Sequence, residues 1–319
     1  MTRVAEPIGI PASHRGNVDA QRNTSPRRRR SRRSGWWALF FLAPSGITLA
    51  IFSFAPMLVS LWTSLQKWNL IGPMQWAGLD NYAKVLTSPA TGQALLNTLY
   101  FTIGYVPIVF VGGLGLALLM NSTIRGRGFF RSIYFLPVVT SWVVVALVWK
   151  WLLAPKNGVV NEILGALGLP QPGWWSDPFW AMPSVIMASA WKDLGFVMIL
   201  FLAGLQAIPH TVLEAASIDG ATRWQRFWRV SFPLLSPTSF LVVVLSLING
   251  FQVFDQAYVM SYGTAATAST QTVVLQIYDL TFRYGRVGEA TALSWLFFIV
   301  LILVTGLQFW GQRKWVHSE

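Results

Sequence analysis

The sequence predicts an all-α, polytopic membrane protein with six transmembrane helices. Only 11% of its 319 residues are charged, against about 25% in a soluble domain. Hydrophobic residues make up 54%, and apolar intervals near the length of about 20 residues needed to cross a bilayer recur along the chain. The net charge of +12 is segregated rather than spread. With no cysteine, the chain has no disulfide framework, thiolate metal site or cysteine nucleophile.

Residues 1–35 read as a disordered, basic cytoplasmic tail. Nine of the 24 basic residues fall in the first 33 positions, including Arg27 to Arg30, and this stretch carries +7. It is rich in Pro, Ser and Asn and lacks an apolar period. A nucleic-acid-binding arm and an organelle transit peptide are alternatives, but Pro26 and the arginine block do not suit an amphipathic transit helix. The 33 uncharged residues from Ser34 to Gln66 favour a cytoplasmic anchor beside a first membrane span.

The spans are expected near Trp37–Leu61, Leu95–Met120, Ser132–Leu153, Ala181–Leu205, Thr238–Gln256 and Ala290–Trp310, within a membrane domain of residues 36–312. The first is too long for a signal-peptide core and should be retained. Pro44, Pro56, Pro107, Pro137 and Pro183 lie within spans or at their edges, where neighbouring helices can satisfy the freed backbone groups.

The connections set the orientation. One side collects the tail, Arg125, Arg127, Arg131, Arg223, Arg226, Arg229, Arg313 and Lys314, which is 17 basic residues. The other holds five: Lys67, Lys84, Lys156, Arg283 and Arg286. By the positive-inside rule both termini are cytoplasmic, including the short tail 313–319. Trp36, Trp37, Trp62, Trp68, Trp149, Trp151 and Trp310 stand near span ends, as an interfacial belt would, with sugar stacking open to a few of them.

The stretch 208–237 between the fourth and fifth spans reads as helix, turn, helix. Thr211–Ser217 contains good helix formers, Asp219-Gly220 signals a turn, and Thr222 can cap a second helix. In that second helix Trp224, Phe227, Trp228 and Val230 recur at spacings of three and four, with Arg223, Arg226 and Arg229 around them, and Pro233 should stop it. Spacing alone also admits a basic amphipathic helix lying on the lipid surface.

Glu214-Ala215-Ala216, Asp219-Gly220-Ala221, Phe227, Val230 and Pro233 resemble the EAA signature of ABC-importer permease subunits. The likeness extends over residues 36–312 and is similar to carbohydrate permeases of the maltose and glycerol-phosphate type. It includes Gly78-Leu79-Asp80-Asn81-Tyr82, Asn97-Thr98, Gly128-Phe129-Phe130-Arg131, Phe135-Leu136-Pro137, Trp149-Lys150-Trp151, Gly158, Asn161, Leu202 to Gln206, Ile208-Pro209, and Ile277-Tyr278 with Phe282. Ser261 to Ala265 replaces a turn common in the family after the fifth span.

The resemblance implies the type I ABC-importer permease fold in the bacterial cytoplasmic (inner) membrane. It also implies a second homologous permease, two ATPase subunits and an extracellular solute-binding protein as partners. Glu214, Ala215, Ala216, Asp219, Gly220, Ala221, Phe227 and Pro233 would then couple to a separate ATPase, with the apolar surface around Ala215, Ala216 and Phe227 docking in a groove. No P-loop occurs in this chain, so ATP and Mg²⁺ are expected on the partner, and no cofactor, metal or catalytic site here.

Polar groups inside spans usually mark a path or an internal pair. Lys192 and Asp193 are neighbours on the fourth span, so each needs a different partner; a structural ion pair or gate is favoured over ligand binding. Asn249, Gln252 and Gln256 would share a face of the fifth span, with Phe251, Phe254 and Asp255 among them. Amides beside aromatic faces suit a neutral polyhydroxyl ligand, and the resemblance places part of the sugar site at Phe251 to Phe254. Interhelical polar contacts without ligand are the alternative.

An ion-coupled secondary carrier would show inverted repeats, which the sequence lacks. A membrane enzyme would need an intramembrane acid–base cluster, yet His14, His210 and His317 all lie outside the spans. The residues admit a sugar, amino sugar, polyol or glycerol phosphate as solute.

Overall fold

The computed structural model describes residues 32–122 and 126–315. Most of the basic tail, Arg125 and residues 316–319 lie outside them. The chain divides into two compact units, residues 1–55 and 56–319. The first carries the helix Arg32–Leu49, with Pro44 inside it, and the wide turn Ala50–Phe54.

Among the described residues, four helices are long and apolar enough to cross a bilayer: Phe40–Ser64, Pro89–Asn121, Ala181–Ala207 and Val287–Gln312. These are the expected first, second, fourth and sixth spans. Two bent helix pairs bring the number to six when each pair is counted as one span.

The third span is not the continuous helix expected over Ser132–Leu153. Arg127–Val139 and Trp142–Leu152 meet at 102°. Thr140 and Ser141 are both extended between them, one turn beyond Pro137. The break leaves carbonyls without intrahelical donors, and Lys192 Nζ on the fourth span donates to Val138 O at 3.1 Å.

The fifth span also departs from expectation. The helix Arg223–Leu234 runs through Pro233, which does not stop it, and meets Ser236–Phe251 at 66°. A wide turn over Phe227–Ser231 precedes the proline. It relieves the normal clash of a proline ring with the carbonyl four residues back. The span then ends at Phe251, directly after Asn249-Gly250, and restarts as Asp255–Ser261. Thr272 Oγ1 supplies a donor to the freed Val253 carbonyl at 2.9 Å.

The fourth span is the hub of the bundle. Val185, Met198 and Phe201 on it pack with Phe101, Tyr105 and Val109 of the second span in the main core. Gly195 seats the third span: a Cβ there would run into the Tyr134 carbonyl oxygen and lie 2.6 Å from its carbon. The other side of the second span, Leu96, Ile103, Val111 and Leu118, stays uncovered at helical spacing, as a lipid-facing stripe does. A smaller core joins Val85, Phe251, Leu293 and Phe297.

Three asparagines fasten the connections, each donating twice to backbone carbonyls. Asn81 Nδ2 bonds Ser64 O and Gln66 O at 2.8 and 2.9 Å. That holds the small hairpin Gln66–Lys67 with Gln75–Trp76. Asn97 reaches Ala268 O and Gln271 O, and Asn161 reaches Pro155 O and Pro172 O. Each spends an amide on carbonyls that no helix or ladder would satisfy.

Candidate functional site

The break after Phe251 builds the site. Asn249 closes one helix, Gln252, Val253 and Phe254 cross the gap, and Asp255 and Gln256 open the next. These six residues line a cavity of about 190 Å³ together with Phe101, Tyr105, Trp142 and Asp193. Asn249, Gln252 and Gln256 therefore converge without sharing a continuous helical face. Phe251 does not join them. It is buried in the smaller core, 6.2 Å from the Phe297 ring.

The neighbours Lys192 and Asp193 point apart, as adjacent helical residues must. Asp193 faces the cavity and accepts the phenolic proton of Tyr105. Lys192 is buried, 5% exposed, with Nζ on the Val138 carbonyl and 4.5 Å from the Trp142 ring centre. No ion pair within 4.0 Å joins it to Asp193 among the described residues. Lys150 uses the same arrangement: it donates to Val259 O at 2.9 Å and sits 4.9 Å from the Trp175 ring. A carbonyl plus an indole face holds each ammonium in place of a carboxylate partner.

The cavity lining holds two carboxylates, three amides and four aromatic rings, and no lysine or arginine. Such a set accepts and donates hydrogen bonds to hydroxyls and repels anions.

The loop 208–237 forms the expected helix, turn, helix. Its first helix is His210–Ile218. Gly220, at φ +78°, ends it, with Ala221 N donating to Ala216 O and Gly220 N to Ser217 O. This is a Schellman C-cap, which needs the left-handed conformation. Thr222 starts the second helix with a full capping box: its N donates to Gln225 Oε1 at 2.9 Å, and its Oγ1 accepts from Gln225 N. Arg226 Nη1 donates to Ser217 Oγ at 2.7 Å across the turn.

The expected docking surface is divided. Ala216 is 8% exposed, and Phe227 packs against the core, so both side chains are turned inward. Glu214, Ala215, Asp219 and Gly220 remain exposed, while Ala221 and Pro233 are half-buried. The bulky groups most exposed in the loop are Ile218 and Trp224, at 86% and 71%.

Sequence reasoning missed Tyr105 as the partner of Asp193, and it missed an aromatic series beyond Phe254. Tyr258, Tyr262, Tyr278 and Phe282, with Gly263 and Arg283, line a second, open cavity of about 410 Å³. Tyr262 donates to Asp279 Oδ1 at 2.6 Å, which raises its phenol above the usual value; burial and the carboxylate charge act the same way and Arg283 opposes them. The four-residue steps from Phe254 to Tyr262 and from Tyr278 to Phe282 were the available signal.

Residues 109–314 match the family described as binding-protein-dependent transport system inner membrane component. The lactose transport system permease protein LacF of Rhizobium radiobacter is 36% identical over 286 residues, covering 88% of this chain and 94% of that protein. The sn-glycerol-3-phosphate transport system permease protein UgpA of Agrobacterium fabrum is 33% identical over 285 residues, covering 86% and 94%. A crystal structure of a bacterial alginate ABC transporter, in complex with an alginate pentasaccharide-bound periplasmic protein, contains a chain of similar fold. Its TM-score is 0.79 at 27% identity, over 88% of this chain and 96% of that one. The secondary-carrier reading falls with these matches. The chain thus belongs to the binding-protein-dependent transport system inner membrane components, among the carbohydrate ABC transporter permeases.

Proposed function

We propose that this permease carries an uncharged sugar through the cavity at the fifth-span break, driven by a separate ATPase seated on the 208–237 loop. The observation that carries this reading is the cavity lining: Asp193 and Asp255 with Asn249, Gln252 and Gln256, and no cation. A phosphorylated or carboxylated solute would meet like charge there. Lys192, a cation beside the cavity wall that would suit a phosphate, is committed to Val138 O and the Trp142 ring.

The cavity, at about 190 Å³, is smaller than the about 300–1,000 Å³ of a complete ligand site. That is the size expected of half a path, the other half coming from a second, homologous permease. Two ATPase subunits would bind ATP and Mg²⁺, and an extracellular solute-binding protein would deliver the sugar. In this arrangement the loop and both termini face the cytoplasm of a bacterium, with the bundle in its cytoplasmic membrane.

The test is uptake of labelled lactose, maltose and sn-glycerol 3-phosphate by cells carrying the whole transporter. A neutral sugar is taken up and the phosphate is not. Asn249→Ala with Gln252→Ala abolishes that uptake while the assembled complex persists; undiminished uptake by the double variant overturns the assignment.

A further inference from the structure

The aromatic rings beyond the membrane cavity form a connected series. Phe254, which lines that cavity, stacks on Tyr258 at 5.5 Å, and Tyr258 stacks on Tyr262 at 4.7 Å. Tyr278 lies against both Phe254 and Tyr258, at 5.3 and 5.2 Å, and Phe282 follows it at 5.1 Å. Two separate segments contribute, each presenting a ring every fourth residue. Tyr258, Tyr262, Tyr278 and Phe282 line the open cavity of about 410 Å³ at the end of the fifth span away from the 208–237 loop.

These rings are neither buried nor purely apolar. Phe282 is 71% exposed. Tyr258 and Tyr278 bring their hydroxyls within 3.5 Å of each other. Arg283 donates to the Tyr262 hydroxyl at 3.4 Å and stands 5.9 Å from its ring centre. A lipid chain or a partner helix would be served as well by leucines. Flat rings with polar tips suit a ligand that has an apolar face and a polar edge. A pyranose has that form, with axial C–H groups on its face and hydroxyls around its rim.

We propose that the open cavity of Tyr258, Tyr262, Tyr278, Phe282 and Arg283 is a second sugar-binding subsite, a stacking platform leading past Phe254 into the membrane cavity. The platform rests on the sugar reading above. It receives a sugar ring released by the solute-binding protein and keeps one face covered by aromatic carbon. Phe254 lines the membrane cavity and lies against Tyr258 and Tyr278, which line the open one, so a ring can pass from one cavity to the other along a continuous aromatic surface.

The experiment uses the complete transporter in proteoliposomes, with its cognate binding protein and labelled lactose, maltose and trehalose as probes. Tyr258→Leu with Tyr278→Leu lowers sugar imported per ATP hydrolysed about tenfold, while Phe at both positions keeps about half or more. Phe282→Leu changes only an exposed ring and raises the half-saturating sugar concentration about threefold, even if the double variant does not assemble. An unchanged transport ratio in the double leucine variant, an unchanged half-saturation in Phe282→Leu, or equal losses with Leu and Phe would each overturn the platform. If the unaltered transporter takes up none of the three sugars, the sugar reading itself fails and the platform falls with it.

Discussion

Tyr105 on the second span hands its phenolic hydrogen bond to Asp193 on the fourth, and both side chains open on the same cavity. The contact ties the two helices that share the main core to the wall of the proposed path.

Tyr105→Phe removes the donor and leaves a half-buried carboxylate without it. An unsatisfied charged acceptor costs about 1–3 kcal/mol. Thermal unfolding of the purified complex should shift down accordingly, and uptake should fall. Equal stability of Tyr105→Phe and the unaltered protein would falsify the contact's structural weight.

Lys192 holds the 102° bend from outside, through Val138 O and the Trp142 ring. Lys192→Met keeps the stem but drops the charge and the donor, for an expected loss of about 1–2 kcal/mol. Lys192→Arg retains cation and donor and should recover part of it. Cysteine pairs placed across Val139 and Trp142 would report the bend directly, and crosslinking that is identical in all variants would count against this role.

Gly195→Ala drives a methyl group into the Tyr134 backbone. Backbone cannot yield as a flexible side chain can, so a cost of about 3 kcal/mol or more is expected, seen as loss of assembled protein. Gly115→Ala is the control: no atom lies within 4 Å of its added carbon. It should be neutral or stabilising by up to about 1 kcal/mol, as alanine replaces glycine in a helix.

Gly220→Ala meets empty space, since nothing lies within 4 Å. Its cost is conformational, because φ is +78° and an L side chain pays about 1–2 kcal/mol in the left-handed region. The cap should loosen while the spans still insert. The expected signature is normal membrane abundance with transport lost and ATPase stimulation by the binding protein reduced several-fold; intact stimulation would remove the loop from the coupling role.

Apolar length and charge placement made the spans legible in the sequence, and Gly220, Thr222 and their neighbours made the loop legible as helix, turn, helix. The breaks were less so. Thr140-Ser141 carries no strong punctuation, and its bend depends on a donor that comes from Lys192, more than fifty residues away. Asn249-Gly250 did carry a helix-weakening signal, but apolar continuity through Phe251 to Phe254 masked it. Helical periodicity then put Phe251 beside Phe254, whereas the break sends Phe251 into the smaller core and Phe254 to the cavity. In the loop, Ala216 and Phe227 were read as docking groups because spacing identifies an apolar face without saying which body covers it. The tyrosines past Phe254 repeat every fourth residue, so their alignment was readable; that two such runs meet was not.

The wide turn at Phe227–Ser231 lies between the exposed loop helix and the start of the fifth span, whose far end lines the cavity. Such a turn holds one residue more than α-helical winding needs. Rewinding it to ordinary pitch would turn everything beyond it by about 100°, one residue's step in a helix of 3.6 residues per turn. In the proposed coupling role, a push on the loop would reach the fifth span as torque, rotating which side chains face the cavity, with little travel along the helix axis.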